Sequence, residues 1–374
     1  MKILILSDGA SSHTLKWVKS LAENGIKVAL FSINKYDKNI YSGIPNISLY
    51  GGYIDSNLCN THSYNISKIA YFKGIPVLKK VIKTFKPDIL HAHYLTSYGL
   101  IGALTFFKPF VISVWGSDIF DFPKLSLFHK ALVRLILKKA DVILSTSNIM
   151  AKETNKYTKK TVKILPFGTD LETFKPKEVK SLFNTNDIVI GTVKSLSEKY
   201  GIKYLVQAFN LVKKKYPELP LKLLLVGGGE QTKEIQKLLN ELGLEKSVII
   251  SGAVPYNQVN VYHNMINISV FVSTQDSESF GVSATEASAC SKPLVVSHIG
   301  GLPEVVEDGI TGIIVPPKDV QTTAKAIEKL VLDKELRERM GKAGRERVKR
   351  LFNWNESIRQ MISVYKNILG EYRK

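Results

Sequence analysis

The chain has 374 residues, 44% of them hydrophobic and 23% charged, which is enough for two packed domains and excludes a mainly disordered protein. Its 52 Lys and Arg exceed its 33 Asp and Glu, and the formal charge of +19 favours an anionic partner: nucleic acid, an acidic membrane or a phosphorylated substrate. Its 2 cysteines cannot build a disulfide framework. Because neither a secretion signal nor an apolar stretch of membrane-spanning length is recognised, a cytoplasmic location is predicted.

Short apolar runs alternate with longer segments of helical periodicity, which is typical of parallel strands covered by helices on both faces. The strands predicted in the first half are Ile3–Leu6, Lys27–Phe31, Asp88–Ala92, Phe110–Trp115, Val142–Ser145 and Val162–Leu165. Those predicted in the second half are Ile188–Val193, Leu221–Val226, Val248–Ile250, Ile268–Ser273, Pro293–Ser297 and Gly312–Val315. The pattern predicts an α/β protein of two doubly wound, Rossmann-like domains in series.

The boundary between the two domains is predicted after residue 172. Turn-forming residues in Phe174–Lys177 and Asn184–Asp187 interrupt the strand pattern there. The N-terminal domain then covers residues 1–172 and the C-terminal domain 173–354. Apolar residues at helical spacing from Leu351 to Leu369 predict a last helix, over about 355–374, that returns to the first domain.

A basic amphipathic helix is predicted between Asp121 and Asp141, a segment without acidic residues. Its basic residues recur every four positions and its apolar residues are expected on the other side. The basic set is Lys130, Arg134 and Lys138, and the apolar set is Phe128, Leu132 and Leu135. Such a helix can lie on an anionic membrane, and a solvated helix face is the alternative.

Two other stretches of the first half are candidate ligand contacts. Small residues in Asp8–His13, after the first strand, leave room for a ligand, although an ordinary tight turn explains them equally well. His91 and His93 lie on a predicted strand. We expect them to point to opposite faces, His91 into the core and His93 near a cleft, so that they cannot share a metal ion.

The segment Ser273–Ala287 carries two acidic residues around a helix start. Glu278 precedes and Glu286 follows the turn Ser279–Val282, whose amides can bind a phosphate at a helix N-terminus. Two carboxylates on either side of that turn can hold hydroxyls at the two ends of a phosphorylated ligand. The alternative is that Glu278 is a capping acid and Glu286 a surface residue.

Lys194 and Lys199 follow the first strand of the second half, at a strand end where open α/β sheets bind ligands. They can neutralise a departing diphosphate, and exposed loop lysines are the alternative. The glycines Gly227–Gly229, after the next strand, can admit a close backbone approach to a ligand. No phosphate-binding loop of the GxxxxGK[ST] type and no HExxH motif occurs.

These segments resemble the retaining glycosyltransferases of family 4, which have the two-domain GT-B fold. The family has two Glu separated by seven residues, with Phe-Gly two residues after the first, and Glu278, Phe280-Gly281 and Glu286 match this pattern. The resemblance extends over both halves. Its further motifs are Ser12–Thr14, His91–Tyr94, Trp115–Asp118, Pro166–Asp170, Gly191–Gly201, Lys292-Pro293, Gly300–Val306 and Gly309–Gly312.

The resemblance implies transfer of a sugar from a nucleotide-sugar donor, such as a UDP-sugar, to an acceptor hydroxyl with retention of configuration, in a cleft between the domains. It implies that Glu278 contacts hydroxyls of the donor sugar and that Glu286 holds the ribose. Lys194 and Lys199 would stabilise the departing diphosphate. Since lysines take the place of a cation, no metal ion or other cofactor is expected.

The resemblance also implies that the amides of Phe280, Gly281 and Val282 help to bind the donor, and that Gly9 faces it. The acceptor-side candidates are Asp118, His93 and His13. The first half is the more basic, with 24 basic and 11 acidic residues in 1–175. We therefore expect a glycan or lipid-linked acceptor of surface-polysaccharide synthesis, reached at the inner face of a membrane.

Two positions depart from the family pattern. Ser195 stands where the diphosphate loop commonly has Arg, so the work of that Arg falls to Lys194. Trp115 stands where many members have a His near the donor sugar, so no catalytic histidine is assigned. A nucleotide-sugar epimerase of the same fold is an alternative. A nucleic-acid-binding protein is a remoter one, since no aromatic residues alternate with the basic ones on one face.

Overall fold

The computed structural model describes residues 1–54 and 71–372. The chain divides into two compact units: Met1–Leu165 with Ser357–Lys374, and Pro166–Glu356. Cys59 lies outside the described residues. Each unit contains a parallel sheet whose strands are connected through helices, so the prediction of two Rossmann-like α/β domains is confirmed.

The sheet of the first unit is made of strands of three to eight residues. They are β1 (Lys2–Leu6), β2 (Lys27–Asn34), β3 (Ile47–Ile54), β4 (Ile89–His93), β5 (Phe110–Ser113), β6 (Val142–Ser145) and β7 (Val162–Ile164). They pair in parallel in the order β3-β2-β1-β4-β5-β6-β7. Its helices are α1 (Ser12–Glu23), α2 (Gly74–Phe85), α3 (Leu100–Ala103), α4 (Ser117–Phe120), α5 (Leu127–Lys139) and α6 (Asn148–Thr154).

The edge strand β3 is not among the strands predicted from the sequence. Residues 47–52 are only half-buried, so the segment lacks the uninterrupted apolar run of the inner strands. It also contains Gly51, at φ +91°, where a Cβ would stand 1.8 Å from the backbone oxygen of Ser32 on β2. A glycine that permits close backbone approach also weakens a strand pattern.

The last helix belongs to the first unit, as predicted. Helix α14 spans Trp354–Tyr372, and the chain from Ser357 onwards is part of the first unit. Tyr365 is fully buried, and its hydroxyl lies 2.7 Å from Nδ1 of His91 on β4.

Helix α5 differs from the prediction in the side that it buries. Its buried residues are Val133, Ile136 and Leu137. Phe128 is 72% exposed and Leu135 50%, so the prediction that places them opposite the basic face is wrong. At 100° per residue both lie on the solvent side with Arg134 and Lys138.

The second unit repeats the architecture with six strands. They are β8 (Ile188–Val193), β9 (Leu221–Val226), β10 (Val248–Gly252), β11 (Ile268–Phe271), β12 (Leu294–Ser297) and β13 (Gly312–Val315), paired in the order β10-β9-β8-β11-β12-β13. Its helices are α7 (Ile202–Lys215), α8 (Thr232–Leu242), α9 (Val259–Met265), α10 (Val282–Ala289), α11 (Leu302–Val305), α12 (Val320–Leu332) and α13 (Lys334–Leu351).

The units divide after Leu165, a few residues before the sequence boundary at 172. The reason lies in contacts that the intervening segment makes within the second unit. The amide of Thr169 donates a hydrogen bond to the carbonyl of Phe352. The Thr169 hydroxyl donates one of 2.8 Å to the hydroxyl of Thr285 on α10.

Candidate active site

A buried ion pair lies at the carboxyl edge of the second sheet. Lys194 follows β8 and Glu278 follows β11, and these two strands are neighbours. Nζ of Lys194 lies 2.9 Å from Oε1 and 3.0 Å from Oε2 of Glu278, and their side chains are 13% and 6% exposed. Two residues that the sequence analysis assigned to one donor molecule therefore contact each other directly.

The pair keeps Lys194 charged. Burial alone would lower the pKa of this ammonium, but the Glu278 carboxylate, with Tyr200 and Glu286, outweighs burial and raises the pKa. The Tyr200 ring lies below it, with its centroid 4.5 Å from Nζ. A site that retains positive charge while partly withdrawn from water suits a phosphate-bearing ligand.

Lys199 lies on the same loop, within the short turn Glu198–Tyr200. Its Nζ donates to the carbonyl of Ser277 at 2.7 Å, beside Glu278, and lies 5.5 Å from the Tyr200 ring centroid. Both lysines are half-buried, so the alternative of exposed loop lysines is wrong.

Glycines allow this loop to pack closely. A Cβ on Gly227 would stand 2.0 Å from the Lys194 carbonyl oxygen, and one on Gly229 would stand 2.4 Å from that of Leu196. Gly201, at φ +65°, would place a Cβ 2.2 Å from the Val272 carbonyl oxygen. In this structure the glycine run Gly227–Gly229 serves the approach of the lysine loop.

The turn after β11 leads into the N-terminus of α10. Gly281, at φ +91°, precedes the helix, whose first amides have no acceptor within the helix and point out of its N-terminus. Phe280 is buried, with its ring 5.4 Å from that of Phe352. The side chain of Phe280 thus anchors the turn, while its amide belongs to the predicted donor-binding set with those of Gly281 and Val282.

Two further glycines support this turn. The amide of Gly301 donates to the carbonyl of Glu278, and a Cβ on Gly300 would stand 2.1 Å from that oxygen. Glu278 makes no capping bond to α10, and Glu278 and Glu286 are 5% and 4% exposed. The alternative of a capping acid and a surface acid is therefore wrong.

Glu286 projects from α10 to a second cluster that the sequence analysis missed. Oε1 accepts a hydrogen bond of 2.9 Å from the Tyr256 hydroxyl, and Oε2 lies 3.7 Å from Nε2 of the buried His263. Burial and the charge of Glu286 raise the pKa of Tyr256, which keeps the hydroxyl a donor. The available signal was position: Tyr256 follows β10, whose carboxyl end lies at the same sheet edge.

In the first unit, Gly9 is held by three side chains. Its amide donates a hydrogen bond to the Ser32 hydroxyl, and its carbonyl accepts one of 2.8 Å from the Tyr41 hydroxyl. A Cβ at this position would stand 2.5 Å from the ring of Tyr36. Only glycine leaves room for that ring.

His91 and His93 share one face of β4, with ring centroids 4.6 Å apart. The prediction of opposite faces is wrong, because residues two apart in a strand point the same way. His91 is satisfied in the core by Tyr365 and by Ser113, whose hydroxyl lies 2.8 Å from its Nε2.

The predicted acceptor-side residues differ in their surroundings. His93 is buried with its ring 4.8 Å from Trp115, and burial, followed by the charge of His13, lowers its pKa to about 3. The His13 ring is half-buried, and its centroid lies 6.1 Å from that of the Trp115 ring.

Asp118 is fully buried, and its carboxylate accepts bonds from the amides of Leu95, Trp115 and Gly116. Burial raises its pKa and these backbone bonds oppose the shift. In this geometry Asp118 organises the loop that carries Trp115.

Within residues 1–54 and 71–372, no three His, Cys, Asp or Glu are grouped as a metal site. Over the same residues, no helix is long and apolar enough to cross a membrane.

Two family models match the chain one after the other. The model of glycosyl transferase 4-like domains matches residues 2–147, and that of glycosyl transferases group 1 matches residues 174–347. Among characterised relatives, the N-acetyl-alpha-D-glucosaminyl L-malate synthase of Bacillus anthracis is 25% identical over 94% of this chain and 92% of its own. A capsular polysaccharide biosynthesis glycosyltransferase of Staphylococcus aureus is 28% identical over 81% and 83%.

Solved structures show the same fold. The sucrose-phosphate synthase of Thermosynechococcus elongatus superposes with a TM-score of 0.83 at 22% identity, covering 99% of this chain and 100% of that one. The Anabaena protein HepE, in complex with UDP and glucose, superposes with a TM-score of 0.78 at 18% identity over 98% and 99%. With both halves matched in order on a GT-B fold, the chain belongs to the group 1 glycosyltransferases and transfers a glycosyl group from a nucleotide sugar.

Proposed function

We propose that the protein is a retaining hexosyltransferase that uses a UDP-sugar and acts on a glycan or lipid-linked acceptor. The observation that carries the proposal is the arrangement of Lys194, Lys199 and Glu278 beside the N-terminus of α10. It offers positive charge to a diphosphate and a carboxylate to sugar hydroxyls within one cluster of the second unit.

In the proposed reaction, the bond from the anomeric carbon to the diphosphate breaks, and the bond to the acceptor oxygen forms on the same face of the sugar. The acceptor proton passes to the departing diphosphate. Lys194, Lys199 and the amides of residues 280–282 stabilise the charge that develops there. Glu278 orients the donor sugar through its hydroxyls, and Glu286 holds the ribose.

The first unit supplies the acceptor side in this proposal. Gly9 lets the Tyr36 ring pack against the β1–α1 loop. His93 and His13 flank Trp115, an aromatic surface suited to a sugar ring. Asp118 contributes through the loop whose amides it binds.

The exposed face of α5 supports an acceptor on an anionic membrane. Leu127 is 84% exposed, next to Phe128, and the basic residues Arg134 and Lys138 lie on the same side. Apolar side chains flanked by cations favour the surface of an acidic bilayer. The capsular polysaccharide enzyme among the relatives supports a role in surface-glycan synthesis.

A thermal-shift panel of UDP-, GDP- and ADP-sugars, run on wild type and Glu286→Ala, tests the donor assignment. We expect the UDP-sugars to stabilise the wild type, by about 2.7 kcal/mol at 100 times their dissociation constant. The shift should be lost in the variant. A panel in which no nucleotide sugar shifts the melting temperature of the wild type contradicts the proposal. A shift in Glu286→Ala as large as that of the wild type contradicts the ribose role of Glu286.

Transfer activity is also expected to persist in excess EDTA, because Lys194 and Lys199 supply the positive charge that the diphosphate needs. The measurement is nucleoside diphosphate release with and without added Mg²⁺ or Mn²⁺. Activity abolished by EDTA and restored by either ion would contradict a cofactor-independent site.

A further inference from the structure

Tyr256 and Glu286 meet although they lie on separate elements of the second unit. Tyr256 begins the short turn Tyr256–Gln258 after β10, and Glu286 lies in the middle of α10. Their hydrogen bond is 2.9 Å long. The residue Tyr256 is 41% exposed while Glu286 is 4% exposed, so the phenol reaches inwards from the surface to a buried carboxylate.

Glu286 depends on this bond for its orientation. Within the described residues, the hydroxyl of Tyr256 is the hydrogen-bond donor to the Glu286 carboxylate. The 3.7 Å separation of Oε2 from His263 is too long for a hydrogen bond, and no Lys or Arg of the described part is paired with Glu286. A buried carboxylate with few partners is costly, so loss of a donor leaves it free to rotate or rearrange.

The Tyr256 ring is itself held. The Phe174 ring lies 5.9 Å from Tyr256 and 6.1 Å from His263, and so packs against both neighbours of Glu286. Phe174 is fully buried, and the carbonyl of residue 174 accepts a bond from Arg345 on α13. Phenol and carboxylate are therefore backed by a buried and hydrogen-bonded part of the unit.

We infer that Tyr256 is a positioning residue for the nucleotide: its hydroxyl fixes the Glu286 carboxylate in the orientation that accepts hydrogen bonds from both ribose hydroxyls. This rests on the proposed ribose role of Glu286. The phenol uses one acceptor position of Oε1, and a carboxylate has about four such positions, so acceptors remain for the ribose. Fixing a carboxylate before binding removes the entropy that binding would otherwise lose.

The test compares Tyr256→Phe with Tyr262→Phe, which removes a hydroxyl from the neighbouring helix α9. The probes are UDP and 2′,3′-dideoxy-UDP, or the GDP or ADP pair if the donor panel selects that base, titrated by calorimetry. We expect Tyr256→Phe to weaken UDP about ten-fold, the effect of one hydrogen bond to a charged group. It should leave the dideoxy analogue, which lacks the ribose hydroxyls, unchanged. Tyr262→Phe should leave both affinities unchanged.

A double-mutant cycle gives the second readout, which a purely structural role would not produce. In a Glu286→Ala background, Tyr256→Phe should have no further effect on UDP affinity, because there is no carboxylate left to orient. In steady-state assays, Tyr256→Phe should raise KM for the donor and leave kcat within about two-fold, since the ribose is remote from the reacting carbon.

Each other outcome overturns a stated part. Wild-type UDP affinity in Tyr256→Phe, equal losses for UDP and its dideoxy analogue, or additive effects in the cycle would overturn the inference. If Glu286→Ala itself binds UDP normally, the proposed ribose role fails instead. Should Tyr256→Phe lower the melting temperature, the affinity ratio of the two probes still decides, because misfolding reduces both alike.

Discussion

The ammonium of Lys194 and the carboxylate of Glu278 form an ion pair that is withdrawn from water. Each has a proposed task with the donor: one faces the diphosphate and the other the sugar. Because the two charges neutralise each other, Glu278 competes with a diphosphate for the same ammonium. Catalysis and donor binding therefore make opposite demands on this carboxylate.

Glu278→Gln separates those demands. We expect kcat to fall about a hundred-fold, because a contact made in the transition state is lost. UDP should bind as tightly as in wild type or more tightly, because the diphosphate takes the place of Glu278 as the counter-charge of Lys194. Since the variant leaves a buried charge without its partner, UDP should also raise its melting temperature more than that of wild type.

Calorimetry and thermal unfolding measure these effects, with Glu234→Gln on α8 as a control that removes a carboxylate elsewhere in the unit. A smaller UDP-induced shift in Glu278→Gln than in wild type would show that Glu278 does not compete for Lys194.

At the scale of elements, the lysine loop depends on a glycine between Lys199 and α7. Gly201 has φ +65° and faces the Val272 carbonyl oxygen, and Gly243 after α8 has the same φ with nothing near its missing Cβ. The two positions share backbone strain and differ in space. Their alanine variants therefore isolate the effect of close packing.

We expect Gly243→Ala to reduce the free energy of unfolding by about 1–2 kcal/mol, the cost of a left-handed alanine. Gly201→Ala should cost more by at least about 2 kcal/mol, as in overpacked interiors, and should also weaken UDP binding by displacing Lys199. Urea denaturation and UDP titration check both. Equal losses of stability in the two variants would contradict the packing argument.

The sequence was informative where one pattern determines one element, as in the buried strands β8 and β11 that lead to Lys194 and Glu278. It was insufficient where the answer depends on a distant partner. Tyr256 is unremarkable until the fold brings it to Glu286, and Phe128 follows an apolar pattern although the structure exposes it. The edge strand β3 and the shared face of His91 and His93 were missed for local reasons, a glycine and a misapplied strand period.

For the whole molecule, charge is unevenly distributed. The first 175 residues hold 24 basic and 11 acidic side chains, and the exposed apolar residues of α5 belong to this part. Long-range attraction from the basic surface and local burial of Leu127 and Phe128 should act together on an acidic bilayer. Attraction decreases with salt, while burial does not.

We expect the protein to float with vesicles of 70% phosphatidylcholine and 30% phosphatidylglycerol, and not with phosphatidylcholine alone. Replacing both Leu127 and Phe128 with Ser should lower the bound fraction at least about five-fold, because each buried apolar side chain contributes up to about 1.5–3 kcal/mol. Ile310→Ser, at a 53% exposed position of the second unit, is the control. Wild-type protein that stays unbound at physiological salt would contradict membrane docking.

Helix α14 also imposes an order on synthesis. The ribosome makes the strands of the first unit early, but Tyr365, which closes over His91, emerges only after the whole second unit. The second unit is contiguous from Pro166 to Glu356 and can fold during translation, whereas the first must wait for its final helix with part of its core uncovered. The half of the enzyme that is begun first is therefore completed last.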